Sequence, residues 1–115
     1  MDHVKQFNAL GHKGRTAIFR LLVRAGPGGA CVDEIKKRLK IPGSTLSHHL
    51  DVLAHSGLIE PRRVGKFIYY TIDWPETGRL IEFLTDDCCA DMHRQLGPRV
   101  SKLSLEPVRR KRGQL

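Results

Sequence analysis

A chain of 115 residues with 40% apolar and 28% charged side chains holds enough core-forming material for one domain, which excludes global disorder. Lys and Arg number 20 against 12 Asp and Glu, a net charge of +8, and this excess points to a polyanionic partner: nucleic acid or an anionic membrane face. No stretch reaches the roughly 18 apolar residues of a membrane-spanning helix, and the polar start Met1-Asp2-His3-Val4-Lys5 lacks the apolar core of a signal peptide, so a cytoplasmic chain is expected.

Charge is unevenly spread. Arg109, Arg110, Lys111 and Arg112 form an acid-free basic end, whereas residues 1–106 hold 16 basic and 12 acidic side chains. Residues 1–97 are expected to form the domain and residues 98–115 a disordered basic tail, an electrostatic aid or a solvated end. In a reducing compartment Cys31, Cys88 and Cys89 are expected as thiols.

Val4, Phe7 and Leu10 recur at helical spacing and predict a short first helix, interrupted by Gly11 and Gly14. Ile18, Leu21, Leu22 and Ala25 predict a second, over Arg15 to Arg24, stopped by Gly26-Pro27-Gly28-Gly29. A third, short helix buries Ile35 and Leu39, with Asp33 as its expected cap. After the Ile41-Pro42-Gly43 turn, Ser44 reads as an N-cap. Leu46, Leu50 and Leu53 then give a fourth helix one apolar stripe, and Gly57 closes it. Two short helices joined by a Gly-containing turn form a helix-turn-helix.

Leu58–Val64 and Phe67–Ile72 predict two strands joined at Gly65-Lys66, where glycine suits the positive φ of a tight hairpin. Tyr69 and Tyr70 point to opposite faces, so at least one is expected in the core. Pro75 opens a fifth helix carrying Leu80, Ile81, Leu84 and Cys88. The predicted fold is mainly α with a β-hairpin wing, in the order ααααββα.

A helix presented beyond a tight turn fits the major groove, and its first turns reach base edges. Here those turns offer Ser44, Thr45, Ser47 and His48, short polar groups that permit close approach. Arg62, Arg63 and Lys66 at the hairpin suit phosphate or minor-groove contacts; the alternative is a charged edge strand that resists aggregation. His49 reads as a histidine packed beside the core. No Gly-rich phosphate loop, G-x-S-x-G or H-E-x-x-H occurs, so no enzymatic activity and no organic cofactor are expected.

The run Ser44-Thr45-Leu46-Ser47-His48-His49-Leu50, then Leu53-Ala54-His55-Ser56-Gly57-Leu58-Ile59, then Arg62-Arg63-Val64-Gly65-Lys66-Phe67-Ile68-Tyr69-Tyr70, resembles the ArsR/SmtB family of winged-helix repressors over roughly residues 5–90. The resemblance implies a homodimer built through the first and last helices, bound to a double-stranded operator and released by a metal ion, metalloid or thiol-reactive species. The adjacent Cys88-Cys89 pair resembles an arsenite- or antimonite-binding branch of the family, and soft thiolates prefer such soft centres. That branch has a third cysteine where this chain has Gln95. Cys31-Val32-Asp33-Glu34-Ile35 retains the first cysteine of the family's C-V-C-[DE]-L motif, so Cys31 is the candidate third ligand for As(III) or Sb(III). Asp91-Met92-His93 resembles the start of a zinc site, with Ser104 in place of the later histidine and Glu106 as a substitute carboxylate. Alternative readings are a thiol redox or persulfide sensor, a zinc-responsive regulator, and a ligand-independent one.

Overall fold

The computed structural model describes residues 2–85. It divides into two compact units, one ending at Asp73 and one beginning at Trp74. Within the first, the helices are α1 (His3–Leu10), α2 (Lys13–Ala25), α3 (Val32–Leu39) and α4 (Gly43–His55). The strands are β1 (Ala30–Cys31), β2 (Ile59–Val64) and β3 (Phe67–Ile72). The second unit contributes α5 (Trp74–Thr85), with Pro75 in its first turn.

Helix α1 starts where the Asp2 carboxylate accepts from the Val4 and Lys5 amides, satisfying donors that have no partner inside the helix. Helix α2 starts two residues earlier than its apolar periodicity suggests. His12 caps it by accepting the Gly14 amide at 3.0 Å, so Gly14 lies inside the helix and not in a break. The α3 N-cap is Cys31; Asp33 and Glu34 occupy the first turn and act on the helix dipole, not as caps. Likewise α4 begins at Gly43 with Pro42 at its cap, which places the Ser44 hydroxyl one residue into the helix. Lys40 adopts left-handed φ (54°) to end α3, and only Ile41 and Pro42 then separate it from α4.

Ile18, Leu22, Ile35, Leu46, Leu50, Leu53, Leu58 and Ile59 form the buried centre of the first unit. The leucine stripe of α4 thus faces inward, as its i, i+4, i+7 spacing requires. Gly57, at φ 88°, turns the chain out of α4 into β2.

The wing has three strands, not two. Its antiparallel order is β1-β3-β2, with Ala30 opposite Tyr70 and Cys31 opposite Tyr69. Gly29 (φ 74°) feeds β1 into this position. Its α-carbon lies so close to the Tyr70 carbonyl and the Thr71 methyl that no side chain fits. The β2–β3 hairpin pairs Val64 with Phe67 around Gly65, whose φ of 62° meets the demand of a two-residue turn. Both tyrosines are half-buried; Ile72, Ile59 and Ala30 fill the core instead. In these residues the architecture is a winged helix-turn-helix, mainly α with a small antiparallel sheet.

Candidate nucleic-acid interface

Burying Leu46, His49, Leu50 and Leu53 leaves the opposite face of α4 to solvent. Ser44, Thr45, Ser47, His48 and Asp51 are all exposed on it. The helix is rooted from behind. His49 is 6% exposed and accepts a hydrogen bond at Nδ1 from the Arg15 guanidinium at 3.2 Å. Because arginine only donates, the imidazole proton sits on Nε2. Burial holds His49 below its usual value, with the charges of His12, Arg15 and His48 acting in the same direction, so the ring is held neutral. A Cβ on Gly14 would approach His49 Nε2 to 3.1 Å, so the absence of a side chain there lets the ring pack against α2. His49 is therefore a packing residue.

The wing cations do not act as one set. Arg63 and Lys66 are exposed near the hairpin tip, whereas Arg62 donates to the Gly28 carbonyl at 3.1 Å, across 34 residues of sequence. That bond ties the wing to the turn before β1 through Nη2 alone, and the other guanidinium N–H groups of this exposed side chain remain available as donors. A further cation enters from α3: the Lys36 ammonium lies 3.6 Å from where a Cβ on Gly43 would be, beside the first turn of α4. The outward run Lys36-Lys37-Arg38 was the signal for it in the sequence; its approach to α4 follows from the short link between the two helices.

Between α4 and the wing runs a cleft of about 410 Å³, bordered by Cys31, Ser47, Asp51, Lys66, Phe67 and Tyr70. Burial, then the Asp51 charge, pushes the Tyr70 hydroxyl above its usual value and keeps it a neutral donor. Cys31 is a free, half-buried thiol at this cleft. Cys88 and Cys89 lie outside the described residues, as do Asp91, His93, Gln95 and the basic tail. Among the described residues no group of three or more His, Cys, Asp or Glu side chains is placed to hold a metal ion. Nor is any described helix long and apolar enough to cross a membrane.

The exposed polar face of α4, with Lys36 beside its first turn and Arg63 and Lys66 on the wing, forms a surface suited to one helix in the major groove and a hairpin over the adjacent backbone. Comparisons with known proteins agree. Residues 10–62 match a helix-turn-helix domain model. An uncharacterised HTH-type transcriptional regulator of Bacillus subtilis, YbzH, is 32% identical over 73% of this chain and 96% of its own. A cadmium resistance regulatory protein CadC homolog of Staphylococcus aureus is 33% identical over 71% of this chain and 66% of its own. A SmtB repressor homolog of Synechocystis is 32% identical over 57% of this chain and 48% of its own. Among solved structures, a possible transcriptional regulator for arsenical resistance superposes with a TM-score of 0.62 at 25% identity, covering 80% of this chain and 93% of that one. HlyU from Vibrio cholerae gives a TM-score of 0.59 at 30% identity, over 70% and 85% of the two chains.

Proposed function

Because the chain belongs to the ArsR/SmtB family of winged-helix transcriptional regulators, which are DNA-binding proteins and not enzymes, we propose that it is a cytoplasmic repressor released from its operator by arsenite or antimonite. The observation that carries the DNA half is the exposed Ser44, Thr45, Ser47 and His48 face of α4, held rigid by buried leucines and flanked by Arg63 and Lys66. Arg62 joins the phosphate contacts through the guanidinium N–H groups not engaged by the Gly28 carbonyl. Residues 1–97 constitute the DNA-binding and dimerising domain, and the basic residues beyond 98 add nonspecific attraction to phosphate.

The protein acts as a homodimer through α1 and α5. Val4, Phe83 and Leu84 are exposed at 62%, 54% and 61%, and covering such large apolar side chains favours association. Two recognition helices then address half-sites about 34–36 Å apart.

Induction rests on Cys88 and Cys89, whose adjacent thiolates chelate one soft trivalent centre. The second bond is intramolecular and adds much more than a lone thiol can. Cys31 is the proposed third ligand. Its place at the cleft beside Ser47 and Lys66 would make ligation felt at the DNA surface. The metal and metalloid associations of the CadC homolog and of the arsenical-resistance structure support this class of inducer. The test is release of upstream DNA titrated with arsenite, antimonite, zinc and a persulfide donor. Arsenite should release wild type, and the Cys88→Ser/Cys89→Ser double variant should stay bound. Release of both at the same arsenite concentration contradicts the proposal, and release only by persulfide favours the redox alternative.

A further inference from the structure

A second concavity, of about 350 Å³, lies between α1 and α4 and shares Asp51 with the wing cleft. Ala9 and Val52 give it an apolar floor, and Lys5, Arg15, His48 and His55 surround that floor. Arg15 carries the argument. Its Nε donates to the Ala9 carbonyl at 2.6 Å and its Nη1 to His49, both uncharged acceptors. Among the described residues no carboxylate pairs with this half-buried guanidinium, and Nη2 has no partner. Asp51 also borders the groove, but it forms no ion pair with Arg15. A partly desolvated, uncompensated cation above an apolar floor is complementary to an anion with an apolar body.

We propose that the α1–α4 groove binds a small organic carboxylate, with its apolar body on Ala9 and Val52 and its carboxylate on Arg15 and Lys5. The volume lies within the range of small-ligand sites. Lys5 and Asn8 are exposed, so the mouth is open to solvent. His48 belongs both to this groove and to the face offered to bases, so an occupant alters the recognition helix directly. This regulatory consequence rests on the DNA-binding reading above; the site itself does not.

Benzoate is a suitable probe, with benzamide as its uncharged counterpart and inorganic phosphate as an anion without an apolar body. Titrated into the full chain and followed by amide shifts in ¹H–¹⁵N spectra, benzoate should move Asn8, Ala9 and Val52, with a Kd on the order of 1 mM for so small a ligand. Benzamide should bind about tenfold more weakly, because it cannot form the charge-assisted pair. Lys5→Glu should weaken benzoate about fivefold. Asn8→Trp, at an exposed position, should block the groove while leaving the wing amides in place. No shift at about 10 mM benzoate would overturn the site, as would equal binding of benzamide. Equal shifts with inorganic phosphate would overturn it in favour of a DNA-backbone contact. Benzoate that binds yet leaves operator affinity unchanged would overturn the regulatory role alone.

Discussion

Replacing Gln6 by Leu should detach α1 from the end of the recognition helix at nearly constant volume. Gln6 is fully buried. Its side-chain nitrogen donates to the Ser56 carbonyl at 3.1 Å, and its oxygen pairs with His3 Nδ1 at 2.9 Å. The carbonyl can only accept, which fixes the amide orientation. In Gln6→Leu the His3 ring, half-buried, can turn to water, but the Ser56 carbonyl belongs to a buried residue and loses its side-chain donor. An unsatisfied buried polar group costs about 1–3 kcal/mol. For a domain of this size that lowers the melting midpoint by roughly 5–20 °C. Gln6→Ala adds the loss of buried methylenes and a cavity, so it should be worse by about 1–2 kcal/mol. Gln6→Glu sets a carboxylate against the carbonyl and should be the most destabilising of the three at neutral pH, recovering in part as acid protonates it. Urea unfolding with an unchanged m-value is the assay. A Gln6→Leu variant within about 0.5 kcal/mol of wild type would refute the idea that the Ser56 carbonyl depends on this amide.

His49 has a folded value below that of a free imidazole, so the unfolded chain binds its proton more readily. This contribution is fully present above about pH 6.5 and is lost as pH falls below it toward the folded value. His49→Leu should flatten that part of the stability–pH curve, and an unchanged curve would contradict the assignment. Gly29→Ala should destabilise by more than about 2 kcal/mol in thermal unfolding, because the methyl meets the Tyr70 carbonyl and the residue must hold positive φ. Replacing Lys66 or Arg63 by Ala should weaken binding to all DNA sequences alike and reduce the salt slope by about one unit each. Arg62→Ala should in addition lower thermal stability, since it also removes the bond to Gly28.

What was legible in the sequence was local. Leu46, Leu50 and Leu53 announce α4 because one apolar stripe at helical spacing must face inward, and Gly65 announces the hairpin because the tip requires positive φ. The strand Ala30–Cys31 is too short to show a period and exists only because β3 supplies its partner. Ser44 looked like a cap by residue type, yet Gly43 takes the first helical position and Pro42 the cap. Arg62 looked equivalent to Arg63; its tether to Gly28 spans 34 residues and no local pattern encodes it. Nothing local marks Gln6 as buried, since polar residues seldom bury unless a distant partner such as the Ser56 carbonyl awaits them. The α1–α4 groove went unseen for the same reason, because its walls come from opposite ends of the unit.

The central claim, sequence-specific DNA binding through α4, is tested most directly by fluorescence anisotropy of wild type and of the Ser47→Ala and His48→Ala variants, on upstream DNA and on a scrambled duplex at fixed salt. The account predicts that wild type prefers the upstream sequence by about 10³-fold or more, and that each variant loses roughly 5- to 100-fold of that preference while binding the scrambled duplex unchanged. Equal loss on both duplexes, or no preference in wild type, would contradict it.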